Sequence, residues 1–377
     1  MPPEEVLTSL DRLRLTSLVD FETASRRRLS ARASVVRGLC ARRLLPIPHP
    51  LDFSWWFLDS TLEHLVEEVV IRAPQGTILC LGAPTLYHAV AAVNHGGRLV
   101  LWDSDPEIGR RANVYENAEA ITKDLTTDHI PQLECAVVVA DPPWYADDIR
   151  MFLWAARRAC RLGGAILVSF PPSGTRPGVS EEWSHIVSWA RSLGLRLEKV
   201  EPRRLSYLSP PFETNAMLAA GIPMPPLDWR CGDLATFRCE GSTVVERPQA
   251  RSAEAWEERL LGSVRIRVRL PLSTAPASPS LHRIAKTEIL PSVSRRDPRR
   301  SLVDVWTSGN RVFQCSERRS LLQILDASGR NVNVERSTRW RLAIPGASHE
   351  VEETWKFLKA MVQQEEREIF RWRESCE

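Results

Sequence analysis

Along the first twenty residues, Val6, Leu7, Leu10, Leu13, Leu15, Leu18 and Val19 recur at helical spacing, and an arginine-rich stretch follows from Arg26 to Arg43. The run Pro46-Ile47-Pro48-His49-Pro50 breaks helix and predicts an extended connector. An aromatic segment, Leu51-Asp52-Phe53-Ser54-Trp55-Trp56-Phe57, leads into an amphipathic helix expected over Thr61 to Ile71. Beyond it, short apolar runs alternate with helical stretches. Strands are predicted at Thr77–Leu81, Arg98–Trp102, Cys135–Ala140, Gly164–Phe170, Leu195–Val200 and Leu234–Cys239. Runs that are apolar throughout suit buried parallel strands, so the alternation predicts a parallel sheet with helices on both faces. Past Glu240 the rhythm is lost. Pro, Ser and Ala crowd 271–280, arginines crowd 295–300, and Val264-Arg265-Ile266-Arg267-Val268-Arg269-Leu270 reads as a strand with one basic face. A last helix is expected from Val351 to Trp372.

Composition alters this picture little. The chain has 377 residues, 43% hydrophobic and 26% charged, which fits a soluble protein with one large α/β domain and a smaller appended one. A net charge of +3 is too small to mark a nucleic-acid binder, but 241–345 holds 19 basic and 10 acidic residues, a local excess. The eight cysteines form no C-x-x-C pair, so no metal site is expected and free thiols in a reducing cytoplasm are. No apolar run is long enough for a membrane span and the N-terminus carries no signal-like apolar core, so a cytoplasmic location is expected.

The sharpest chemical signal is Asp141-Pro142-Pro143-Trp144, set directly behind the apolar run Val137-Val138-Val139-Ala140. Ligands of open α/β sheets bind in loops beyond the carboxyl ends of strands. Two prolines fix the backbone and remove two amide donors, which leaves carbonyl oxygens as acceptors. An amine with two N–H donors can bond to the Asp141 carboxylate and the Pro142 carbonyl together, with its lone pair aimed at an incoming electrophile. Trp144 offers a flat face on which a base can stack. A second signal is Leu79-Cys80-Leu81-Gly82-Ala83-Pro84-Thr85-Leu86, a strand ending in a small-residue turn that opens a helix, though with a single glycine. About twenty residues on, the strand ending at Trp102 runs into Asp103-Ser104-Asp105. An acid there suits the ribose hydroxyls of an adenosyl cofactor, with Asp105 equally able to cap the next helix. Asp124 falls where a third strand would end, in reach of the cofactor's adenine or simply at the surface.

Taken together these segments resemble the N6-adenine methyltransferase-like group, which contains ribosomal-RNA adenine and elongation-factor lysine methyltransferases. The resemblance runs from about Leu51 to Lys199. It rests on Phe53-Ser54-Trp55-Trp56-Phe57 with Thr61 and Leu62, on Leu81-Gly82-Ala83-Pro84, on Asp103 and Asp105, and on the Asp-Pro-Pro-Trp loop. The resemblance implies a Rossmann-like class I methyltransferase sheet that binds S-adenosylmethionine through the turn and first acid and grips the target amine with the loop. The cofactor turn precedes the catalytic loop, as in that group, whereas the messenger-RNA adenine methyltransferases are circularly permuted. Tryptophan replaces the more usual phenylalanine or tyrosine, which favours a stacked base, and the zinc-binding cysteines of the ribosomal-RNA members are missing.

The reading is therefore α/β: a helical N-terminal extension (1–50), a methyltransferase domain (51–240), and a basic, smaller, β-rich C-terminal module (241–377) ending in a helix. The expected activity is transfer of a methyl group from S-adenosylmethionine to an exocyclic amine, adenine N6 in DNA or RNA first. Asp141, Pro142, Pro143 and Trp144 form the expected reaction site. Trp55, Leu81, Gly82, Ala83, Pro84, Asp103, Asp105 and Asp124 form the expected cofactor site. Trp55 and Trp56 fit either closure over the cofactor or a staple of the N-terminal segment onto the sheet. The partner is an unpaired or flipped base, with phosphates held by the C-terminal module, which can equally bind a protein subunit. A protein-lysine methyltransferase, or a degenerate nucleic-acid-binding subunit, fits the same motifs. Ser209-Pro210-Pro211-Phe212 reads as a loop rim, and Asp304-Val305-Trp306-Thr307-Ser308-Gly309-Asn310-Arg311 has no evident role.

Overall fold

The computed structural model describes residues 42–93, 95–241, 245–250, 254–272, 278–284, 286–328 and 349–375. The expected N-terminal helix lies outside the described residues.

An eight-stranded sheet is built from β1 (Trp56–Phe57), β2 (Ile78–Leu81), β3 (Leu99–Asp103), β4 (Ala118–Thr122), β5 (Cys135–Ala140), β6 (Cys160–Phe170), β7 (Leu195–Leu208) and β8 (Cys231–Cys239), in the order β1-β7-β8-β6-β5-β2-β3-β4. Strands β4, β3, β2, β5 and β6 run parallel, while β8, β7 and β1 join antiparallel. Alternate strand residues feed two cores, as a period of two requires. Ile78, Cys80, Leu99, Leu101, Val137 and Val139 pack with α1 (Asp59–Arg72), α2 (Pro84–Ala92) and α3 (Pro106–Ala112). Leu79, Leu81, Val100, Trp102, Val138 and Ala140 pack with α4 (Ala146–Ala159) and α5 (Val179–Ser192). Helices cover both faces as expected, but the sheet is mixed rather than parallel, because β8 inserts antiparallel between β6 and β7 and β1 pairs antiparallel with β7. Because β2 and β5 are neighbours whose helices leave to opposite faces, a crevice opens beyond their carboxyl ends.

Strand β7 continues to Leu208, eight residues past its expected end at Val200. The charged stretch Glu198 to Arg204, with Pro202 and Arg203 (φ 52°), hides the continuation. The strand is irregular there, with Arg203 N donating to Asp233 Oδ1 at 2.7 Å, and then resumes pairing with β8 and β1. Ser209-Pro210-Pro211-Phe212 is not a loop rim. Pro210 and Pro211 open α6 (Pro211–Ala219) and all four residues are buried, a use of proline in the first helical turn that sterics favour.

A second, wholly antiparallel sheet follows: β9 (Trp256–Leu261), β10 (Val264–Arg269), β11 (Leu281–Arg283), β12 (Val305–Thr307) and β13 (Val312–Cys315), in the order β11-β13-β12-β10-β9. With α7 (Arg318–Ser328) and the long α8 (His349–Ser375) it packs into the same core as α1–α3. The basic face of β10 turns inward. Arg265 is buried and pairs with Asp52 (2.7 Å), Asp105 (2.9 Å) and Glu258 (2.9 Å), and Arg267 with Asp52 (2.5 Å) and Glu258 (2.7 Å). His49 Nδ1 accepts from Leu51 N (3.1 Å), so the neutral ring donates from Nε2 to Trp306 O (3.1 Å). Burial, with Arg267 and Arg265 nearby, holds its pKa well below the usual range.

The string 304–311 acquires a role. It is the β12–β13 hairpin that receives Glu365 of α8, which is fully buried. Thr307 Oγ1 (2.7 Å) and Ser308 Oγ (2.8 Å) donate to its two oxygens, Gly309 N donates as well, and Arg311 bridges it to Glu368. Asn310 ties the same hairpin to Trp306 Nε1 and to Leu290 O.

Candidate active site

The crevice above β2 and β5 widens into a cleft of about 1770 Å³, roofed by residues of the second sheet and of 291–300. Its floor begins with the turn after β2. Gly82 has φ +63°, a Cβ there would lie 3.0 Å from the Phe152 ring and 3.3 Å from Asp141 O, and its N–H donates to Trp102 O at 2.8 Å. Only glycine serves this position without strain. Leu81 accepts from Asp141 N at 3.0 Å, so the turn and the Asp-Pro-Pro-Trp loop touch. Ala83 and Pro84 are buried and start α2, which has no side-chain cap, so its first amides remain open.

At the end of β3, Asp103 lines the cleft and accepts from Asp105 N at 2.9 Å through Oδ1 alone. Burial lifts its pKa to about 7, against the lowering effect of that one bond. Beside it the buried Trp102 Nε1 has no partner among the described residues. Asp105 differs: Oδ1 caps α3 through Glu107 N (2.8 Å) and Oδ2 pairs with Arg265, which leaves neither oxygen open. Asp124 sits at the exposed rim, its Oδ1 accepting from Thr126 N (2.8 Å) and Thr126 Oγ1 (2.6 Å) to stabilise a turn.

Asp141 stands at the head of the loop, partly open to the cleft. Its Oδ1 accepts from Ser169 Oγ (2.5 Å) on β6 and Tyr207 Oη (2.8 Å) on β7. Its Oδ2 has no partner among the described residues, and neither has the Pro142 carbonyl. Burial raises the Asp141 pKa to about 7, with the two hydroxyls and Arg230 opposing. Pro143 O accepts from Tyr145 N at 2.7 Å and so closes the turn. Trp144 Nε1 donates to Ser169 Oγ (3.3 Å), and its ring meets Tyr207 edge-on with centroids 5.7 Å apart. A Cβ on Gly232 would fall 2.8 Å from Trp144 Cζ2, so that glycine makes room for the indole.

Trp55 lines the cleft beside Arg230. Its Nε1 donates to Glu213 Oε2 (2.8 Å), and the Arg230 guanidinium rests 4.2 Å from its ring and 5.3 Å from that of Trp144. The roof is fixed by Arg295, which pairs with Asp148 and covers the rings of Phe53 (4.3 Å) and Tyr145 (4.6 Å). Four residues escaped the sequence reading. Ser169 carried a signal as the one polar residue in an apolar strand, and Glu213 as an acid following Pro-Pro-Phe. Tyr207 and Arg230 carried none. The described residues contain no cluster of three metal-ligating side chains and no helix long and apolar enough to cross a membrane.

Residues 54–161, from Trp55 through the Asp-Pro-Pro-Trp loop to α4, match the family described as "Probable N6-adenine methyltransferase". No curated protein matches the chain. Among solved structures, the branched-chain polyamine synthase of Thermus thermophilus, bound to N4-aminopropylspermidine and 5'-methylthioadenosine, superposes with a TM-score of 0.50 at 15% identity over 58% of this chain and 67% of that one. Its C9 mutein gives 0.51 with the same identity and coverage. At that identity the likeness shows a shared fold.

Proposed function

We propose that this protein is an S-adenosylmethionine-dependent N-methyltransferase acting on adenine N6 in a nucleic acid, a reading supported by the match of residues 54–161 to the family described as probable N6-adenine methyltransferases. One observation carries the reading: Asp141 Oδ2 and the Pro142 carbonyl are neighbouring acceptors without partners among the described residues, set beside the Gly82 turn in a shared cleft. Two acceptors at one point of a cleft, open to whatever enters it, fit a ligand with two N–H donors.

The open acid Asp103, the glycine turn and the uncapped α2 are the groups suited to hold the cofactor. When bound, S-adenosylmethionine supplies an electrophilic methyl on a positively charged sulfur. The protein's own part is positioning and electrostatics. Asp141 Oδ2 and Pro142 O accept the two amine hydrogens and turn the nitrogen lone pair out of conjugation, while Trp144 packs against the base. As the new N–C bond forms and the C–S bond breaks, the nitrogen sheds one proton. Asp141, with a pKa near 7, takes it and returns it to solvent. Arg230 beside Trp144 weighs against a protonated lysine as the target.

The test offers tritiated S-adenosylmethionine with RNA, single-stranded DNA and protein to the full chain and to Asp141→Asn. Label in nucleic acid that depends on Asp141 supports the reading. Label in protein alone replaces it with lysine methylation, and failure to bind cofactor removes the enzyme assignment.

A further inference from the structure

Arg230 occupies an unusual place. Its guanidinium lies 4.2 Å from the Trp55 ring, 5.1 Å from Trp229 and 5.3 Å from Trp144. It is held by a forked pairing with Glu213, whose Oε1 accepts from Arg230 Nε at 3.1 Å and also from Nη2. Glu213 is only 4% exposed, and its Oε2 takes the Trp55 indole N–H, so one buried carboxylate fixes both the cation and one ring. At the outer end Trp229 is 46% exposed. The segment before it, 221–228, is stiffened by Pro223, Pro225 and Pro226 and leaves Ile222 (43%) and Met224 (87%) in solvent. Three indole rings thus cluster around one guanidinium, Trp229 at the surface and Trp144 in the cleft, where its neighbour Ser169 is bonded to Asp141.

We propose that this cluster is a stacking platform for a single nucleic-acid strand, with the target base against Trp144 and the adjoining base against Trp229. The inference rests on the proposed adenine specificity and adds to it that the substrate is unpaired on at least two consecutive nucleotides. Aromatic rings interleaved with a guanidinium plane are what unstacked bases bind, because every base has a π-face. The cation also suits an adjacent phosphate. A protein substrate gains less from such a surface, since a lysine side chain has no plane to stack.

The test is fluorescence anisotropy of a labelled 12-nucleotide single strand containing one adenine, binding to the full chain, with methyl transfer followed in parallel. Trp229→Ala should weaken binding about tenfold to a hundredfold, and Trp229→Phe should restore most of it. The platform is overturned, with the adenine reading intact, if Trp229→Ala binds and methylates the strand normally, or if a duplex of the same sequence binds more tightly. If the unaltered protein binds no oligonucleotide and labels protein, both fail.

Discussion

Two carboxylates, Asp141 half-buried at the end of a strand of the first sheet and Glu365 fully buried against the second, separate what burial does for function from what it does for structure. Burial raises the pKa of both. Glu365 answers with a complete set of donors, two hydroxyls, a backbone amide and an arginine, and every one comes from the hairpin it locks. Asp141 has its donors on one oxygen only and keeps the other, with the Pro142 carbonyl, toward a cleft. A saturated buried acid is a joint. A half-saturated one facing a cavity is a site, because the bonds it lacks are those a ligand can bring.

Asp141→Asn tests the contrast most severely. The amide keeps an acceptor for Ser169 and Tyr207 but can place N–H groups where the substrate amine must donate, so methyl transfer should fall about a thousandfold. The variant should nevertheless fold. An acid whose pKa is raised on folding costs stability as pH rises from its unfolded value, roughly 4, toward 7, and above that the cost is complete. Thermal melts of Asp141→Asn at pH 8 should therefore lie no lower than those of the parent. Glu365→Ala should do the reverse. It strands the Gly309 amide and the Thr307 and Ser308 hydroxyls and leaves Arg311 to Glu368 alone, and urea titration should show a loss of about 3 kcal/mol or more, with per-molecule activity kept below the transition.

Asp103→Ala should weaken S-adenosylmethionine binding about tenfold or more by calorimetry. In the parent, hydroxyl donors favour the ionised Asp103, so affinity should rise as pH passes upward through about 7, and the variant should lack that rise. The smallest effect belongs to Tyr207→Phe. The Tyr207 hydroxyl lowers the Asp141 pKa, so its removal should shift the rising limb of kcat/KM, near pH 7 in the parent, to higher pH by less than about one unit. A limb that does not move would make Tyr207 a packing residue.

The Asp-Pro-Pro-Trp loop, the Gly82 turn and Asp103 were legible because each belongs to a local pattern, an apolar strand followed by a residue type that only a turn or a ligand requires. The rest of the site comes from β6, β7, α6 and the start of β8, outside the stretch of family resemblance at 54–161. Tyr207 was hidden by the charged, proline-interrupted middle of β7, where strand pairing overrides local propensity. Arginines 265 and 267 look in sequence like a phosphate-binding face, yet the fold turns them onto Asp52, Asp105 and Glu258.

Hydrophobic periodicity alone determined the parallel core of the sheet with helices on both faces, since continuous apolar strands between amphipathic helices bury their surface in few other ways, but it gave no sign that β8, β7 and β1 join antiparallel. It also placed the Asp-Pro-Pro-Trp loop beyond a buried strand. Only the tertiary structure decided which polar groups are spent on one another and which are left open. That depends on partners more than a hundred residues apart, as with Arg265 and Asp105 or Asn215 and Glu368, and no local spacing encodes such pairings.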